Sequence, residues 1–120
     1  MKSGMNIEQR ELILLPFPFS DKVKSSKKRP AIVLSNKTYN YENHDLICCA
    51  VTSQVLIEEK GLPFSSKDME SNILRHESVI LPCRLFSPNK NIILKSLGKI
   101  KKAKAKEILD FLNLKIKLND

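Results

Sequence analysis

Apolar residues reach position 100 only in runs too short for anything but strands. The longest uninterrupted ones, Leu12 to Leu15 and Leu46 to Val51, fall far below the roughly 20 residues a membrane-spanning helix needs. Polar stretches rich in Ser, Lys and Asn separate them, so the chain reads as short strands joined by exposed loops. A length of 120 residues, 42% hydrophobic and 28% charged, supports one soluble domain over 1–120 with a single core and excludes wholesale disorder. Residues 1–9 are expected as a flexible segment. No apolar stretch follows Lys2, so a secretory signal is not expected and the protein is placed in the cytoplasm.

Leu12 to Phe19 reads as a first strand. Pro16 and Pro18 leave one side of it unpaired, and Phe17 and Phe19 turn toward the core. Residues 20–29 form a polar hairpin loop, Pro30 to Ser35 the returning strand, and Asn36 to Asp45 a second polar loop. Leu46 to Thr52 is apolar enough for a strand covered on both faces. Leu62 to Phe64 reads as a short edge strand and Lys67 to Leu74 as a brief helix. Ser78 to Leu81 and Asn91 to Leu97 read as strands, with a turn at Ser87 to Asn89 between them. From Lys101 the period changes. Ala105, Ile108, Leu109, Leu112 and Ile116 share a helical face that Phe111, Leu114 and Leu118 widen, while Lys101, Lys102, Lys104 and Lys106 are expected in solvent. The fold class is mainly β within α+β: a small, curved antiparallel barrel with a C-terminal helix packed across it.

Three cysteines form neither an even disulfide framework nor a zinc spacing. Cys48 and Cys49, adjacent on a strand, point to opposite faces and cannot grip one ion. No metal or other cofactor is expected.

The net charge of +8 is concentrated in two places. Lys22, Lys24, Lys27, Lys28 and Arg29 give residues 22–29 a local +5, residues 90–120 carry +6, and the remainder is acidic at −3. Such a field attracts a polyanion, with nucleic acid first and an acidic protein second.

The order Leu14-Leu-Pro-Phe-Pro-Phe19, Arg29-Pro-Ala-Ile-Val-Leu-Ser35, Ala50-Val-Thr-Ser53, Ser78-Val-Ile and Leu97-Gly-Lys-Ile100 before a final helix resembles the PemK/MazF-like toxins of bacterial type II toxin-antitoxin systems. The resemblance implies an SH3-like barrel, a homodimer, and a metal-independent endoribonuclease. Such an enzyme cuts single-stranded RNA, usually mRNA, by 2′-hydroxyl attack, leaving 2′,3′-cyclic phosphate and 5′-hydroxyl ends. It also implies an acidic cognate antitoxin, and it assigns catalysis to Arg29 and Thr52.

Arginine supplies a permanently charged fork of donors, and Thr52 with Ser53 supplies hydroxyl hydrogen bonds to a phosphate. Lys22, Lys24, Lys27, Lys28 and Gln54 would track the RNA backbone, with Tyr39 and Tyr41 either stacking bases or capping a core edge. His44 and His76 are the acid/base candidates by residue type. The chain departs from the family pattern at Leu81 and Cys83, which replace an arginine and an aspartate, and at Arg10, which replaces a glycine. Arg84 is the one candidate to shift into the site, against a three-residue displacement that reverses its facing. Activity is therefore expected to be weak, to use a different base or to be absent, and the alternative is a noncatalytic nucleic-acid- or protein-binding module of the same fold.

Overall fold

In a computed structural model, residues 6–16, 27–53, 61–71, 74 and 76–119 are described. They form six strands, β1 (Glu11–Pro16), β2 (Lys28–Val33), β3 (Cys48–Thr52), β4 (Leu62–Phe64), β5 (Ser78–Phe86) and β6 (Lys95–Lys99), with helices α1 (Lys37–Glu42) and α2 (Lys102–Ile116). The strands make one antiparallel sheet in the order β4-β5-β3-β2-β1-β6, curled into a half-barrel with α2 against β5.

The strand period divides the apolar residues between two cores. The pairs Leu12↔Ile32 and Ile32↔Cys49 send side chains to one face, where Val51, Phe64, Ile80, Ile100 and Ile108 join them. Ile13↔Ala31 and Val33↔Cys48 face the other way, with Leu15, Leu46 and Ile93. Cys48 and Cys49 thus lie on opposite faces, as the alternation requires. Burial pushes both thiols up to about 12.

The loop expected over Asn36 to Asp45 contains a helix. Asn36 caps α1 by accepting from the Tyr39 N–H at 3.0 Å. A buried pair docks it: Ser35 Oγ donates to Asn40 Oδ1 at 2.5 Å, and Asn40 Nδ2 donates to the Ser35 carbonyl at 3.0 Å. The helix expected over Lys67 to Leu74 shrinks to a 3₁₀ turn at Ser66–Asp68. The strand expected from Asn91 starts only at Lys95, after a second 3₁₀ turn at Lys90–Ile92. Phe17, Pro18 and Phe19 lie outside the described residues.

Helix α2 buries a narrower stripe than its sequence suggests. Ile108 is in the first core with Ala105 and Leu112 against it, whereas Leu109, Leu114, Ile116 and Leu118 are exposed. Lys104, expected in solvent, is buried. Its Nζ lies 2.8 Å from Glu107, 3.7 Å from Asp68 and 3.1 Å from the Pro63 carbonyl, tying the first turn of α2 to the end of β4. Lys101, Lys102 and Lys106 are exposed as expected, and Lys106 pairs with Asp110 at 2.8 Å in the i,i+4 spacing.

Of the segment expected to be flexible, residues 6–9 are docked. Ile7 is buried in the second core, Glu8 pairs with Lys99, and Gln9 Nε2 donates to the Leu34 carbonyl at 2.7 Å. Arg10 has φ 79°, the left-handed region that glycine occupies without cost. Its guanidinium donates to Glu70 at 2.6 Å and to the Ile100 carbonyl at 2.7 Å, and its backbone bonds Val33 and Ile100. The hydrogen bond from Arg10 in turn holds the Glu70 carboxyl below the ordinary carboxylate range. Gly98, at φ 118°, takes up the extra residue where β6 bulges against Glu11 and Ile13 of β1.

Two stability outcomes follow in denaturant unfolding. Arg10→Ala destabilises the protein by about 1 kcal/mol more than Arg10→Gly, because alanine keeps the left-handed backbone cost and both lose the guanidinium bonds. Lys104→Ala costs about 2–3 kcal/mol by stranding Asp68 half-buried, whereas Lys106→Ala costs about 0.5 kcal/mol or less.

Candidate active site

Where β2, β3, β1 and β6 reach the same end of the sheet, their side chains enclose a cleft of about 600 Å³. The hairpin sequence places Arg29 there. β2 begins at Lys28, two residues before its first expected position, so Arg29 is a half-buried strand residue and not part of an exposed loop. Two positions along both strands from the Ala31↔Ala50 pair stand Arg29 and Thr52. The period of two gives them the same facing, on neighbouring strands. Ser53 follows at the exposed end of β3.

The lining separates into polar groups and an apolar floor. Lys28, Arg29, Lys95 and His76 supply nitrogen, and Thr52, Ser53, Ser78 and Ser96 supply hydroxyls. Leu12, Leu14, Val51, Phe64, Leu74 and Leu97 form the floor. Among the described residues lining the cleft there is no carboxylate. Cations and hydroxyl donors together with apolar residues in one lining suit an anion that also carries an apolar part.

The cleft thus brings together Arg29, Thr52, Ser53, Lys28 and His76 from the residues singled out by sequence. It does not bring in Tyr39, Tyr41 or His44. Tyr41 lines a different cleft, of about 750 Å³, with Lys37, Lys90 and residues 6–10, beyond the end of β2 opposite Arg29. His44 is exposed ahead of β3, its carbonyl accepting from the Lys90 N–H at 2.9 Å. Lys27 is exposed and outside the lining, and Lys22, Lys24 and Gln54 lie outside the described residues. Sequence reasoning missed Lys95, Ser96 and Ser78. Lys95 and Ser96 carried a signal only through the register of the last strand, in which Lys95 pairs with Leu14.

The structure also places Leu81 and Cys83 of β5. Leu81 is buried and pairs with Ala50, while Cys49 pairs with Leu85, so Pro82, Cys83 and Arg84 form a bulge. Cys83 and Arg84 are exposed, and neither they nor Leu81 line the cleft.

The family model for the PemK-like, MazF-like toxin of type II toxin-antitoxin systems matches residues 8–116. The chain belongs to that family. Three solved structures give the same fold. A MazE-MazF crystal structure from Deinococcus radiodurans (TM-score 0.74, 19% identity) covers 94% of this toxin and 97% of the solved chain. The Mycobacterium tuberculosis toxin MazF-mt6 (TM-score 0.70, 12% identity) covers 92% and 100%, and a mycobacterial endoribonuclease in complex with its cognate antitoxin (TM-score 0.70, 13% identity) covers 96% and 99%. No curated protein matches the sequence significantly. No helix among the toxin's described residues is long and apolar enough to cross a membrane.

The burial pattern of the thiols has a direct readout. With Cys48 and Cys49 buried and pushed up to about 12, and Cys83 exposed on the bulge, a neutral-pH thiol reagent modifies one cysteine in the native toxin and all three after unfolding. Mass spectrometry of labelled peptides identifies the first as Cys83.

Proposed function

We propose that this toxin is an endoribonuclease that cuts single-stranded RNA, chiefly mRNA, in the cleft holding Arg29, Thr52 and Ser53, without a metal ion. The observation that carries the reading is that the described residues of the lining include cations and hydroxyls and no carboxylate. In the reaction the ribose 2′-oxygen attacks the adjacent phosphorus, its proton passes to a base, and the P–O5′ bond breaks. The 5′-oxygen takes a proton, giving a 2′,3′-cyclic phosphate and a 5′-hydroxyl end.

Negative charge grows on the non-bridging oxygens as phosphorus becomes five-coordinate, and preorganised donors at that point lower the barrier most. Arg29 meets that charge with a fixed fork. Thr52 and Ser53 orient the phosphate by hydroxyl hydrogen bonds, and Lys28 holds the strand. His76 is the acid/base candidate on the cleft wall, ahead of β5. A cytoplasmic homodimer neutralised by an acidic antitoxin completes the reading, the basic surface serving RNA and antitoxin in turn.

The test is incubation of mixed-sequence single-stranded RNA with the toxin in excess EDTA, with chemical mapping of product ends. Sequence-selective cuts bearing cyclic phosphate and 5′-hydroxyl ends are expected. Arg29→Ala lowers the rate by about 100-fold or more, in line with loss of one preorganised donor group. Intact RNA, from toxin shown to be folded and free of antitoxin, would instead make the cleft a noncatalytic binding site. That second reading draws on the placement of Leu81 and Cys83 outside the cleft.

A further inference from the structure

Among the described aromatic residues Tyr41 alone is exposed, at 89%, and the chemistry at Arg29 leaves it unused. It lines the second cleft, of about 750 Å³. Lys37 lies one turn before it on α1, in the i,i+4 spacing that makes two side chains neighbours, and lines the same cleft. Lys90 is there too, its Nζ anchored by donation to the Asn40 carbonyl. None of the ion pairs among the described residues engages Lys37 or Lys90, and Glu8, the one carboxylate among the described lining residues, is held by Lys99.

This cleft belongs to the face of the sheet from which Arg29 and Thr52 project. Arg29 pairs with Leu15 of the second core, and Thr52 stands two residues from Ala50, the partner of Ala31 in that core. Ile7, in the lining of the Tyr41 cleft, packs in the same core with Val33. From Arg29 to Val33 the strand covers four residues, about 13 Å. A second route joins the two ends: Ser96 lines the first cleft and Lys90 the second, and between them in sequence Ile92 and Leu94 are exposed.

A solvent-facing aromatic ring beside two cations suits a nucleotide, whose base stacks on the ring while its phosphate meets the lysines. The carboxylates of an acidic peptide would pair with the lysines but leave the ring uncovered. We infer that Tyr41, with Lys37 and Lys90, is a second contact for single-stranded nucleic acid, stacking one base of a strand whose scissile phosphate lies at Arg29. The inference rests on the reading that the toxin binds RNA and adds to it a minimum strand length, because only a strand reaching from Arg29 past Val33 gains the contact. Every base has a face to stack, so the contact raises affinity without selecting sequence.

The experiment compares wild type, Tyr41→Ala, Tyr41→Phe, Lys37→Met and a control, Lys117→Met, at an exposed lysine just past α2. The probes are mixed-sequence single-stranded oligodeoxynucleotides of about 12 and about 3 nucleotides, above and below a smallest site of ~4, and a long strand of abasic sugars. None has the 2′-hydroxyl needed for cleavage by this route. Tyr41→Ala weakens binding of the long strand about fivefold or more and Tyr41→Phe does not, in line with loss of one stacked base. The short strand and the abasic strand each bind wild type and both Tyr41 variants alike. Lys37→Met lowers the slope of log affinity against log salt by about 0.7, the value for one contact to a single strand, and Lys117→Met leaves it unchanged.

Equal binding of the long strand by wild type and Tyr41→Ala overturns the inference. An equal loss on the abasic strand also overturns it, since no base is then involved. A Tyr41→Ala variant that loses only the binding of poly-L-glutamate overturns it in favour of an acidic peptide. RNA cleavage in EDTA separates the two readings. A toxin that cuts RNA but binds the long strand independently of Tyr41 keeps the ribonuclease reading and loses this contact, whereas one that binds through Tyr41 and cuts no RNA keeps the contact and loses the ribonuclease.

Discussion

The alternation of β1, β2 and β3 between two buried faces is the constraint from which the rest of the molecule follows. Each residue pair along Leu12↔Ile32↔Cys49 fills one core, and each along Ile13↔Ala31↔Ala50 turns to the other side. A slip of one residue would exchange the two sets and expose both, so the register is fixed over all three strands. Because it is fixed, Arg29 and Thr52 reach the end of the sheet together on neighbouring strands, though 23 positions separate them in sequence. The site is a product of the core, and the placement of these two side chains needs no loop geometry of its own.

The electrostatic character of the cleft also depends on where the carboxylates are held. Glu8 is drawn to Lys99, Glu70 to Arg10, Asp68 and Glu107 to Lys104, and Asp110 to Lys106. These pairs lie near the start of β1, around the first turns of α2, and along its outer surface. Among the described residues, Lys28, Arg29 and Lys95 line a cleft without acid. Exposed pairs such as Lys106 with Asp110 contribute little to stability, but removing acids from the vicinity of a cationic cleft raises its potential toward a polyanion. The +8 net charge acts on a ligand mainly where it is left unpaired.

Much of this was legible in the sequence because strand alternation and cross-strand pairing are local rules. The apolar runs located β1, β2, β3 and the start of β5, and the edge strand Leu62–Phe64 was read at its observed bounds. What escaped depends on contacts distant in sequence. The polar composition of residues 36–45 concealed α1, whose formation rests on the Asn36 cap and on Asn40 finding Ser35. Lys104 reads as one more solvated lysine until Asp68, 36 positions earlier, is brought against it. The cleft's β6 wall was invisible for the same reason: nothing near Lys95 in sequence announces that it pairs with Leu14.

Arg10 shows how a left-handed turn is kept without glycine. A left-handed backbone at the entry to β1 favours glycine, and a side chain there costs about 1 kcal/mol or more. Here the side chain that causes the cost also supplies two hydrogen bonds, to Glu70 and to the Ile100 carbonyl, which link the start of β1 to the strand end ahead of α2. The turn is kept by long-range bonds instead of by local backbone freedom. On β5 the bulge at Pro82 to Arg84 restores the pairing of Leu85 with Cys49 and leaves Cys83 and Arg84 exposed, away from the cleft. Among the described residues the cations in the lining come from β2, β6 and the approach to β5.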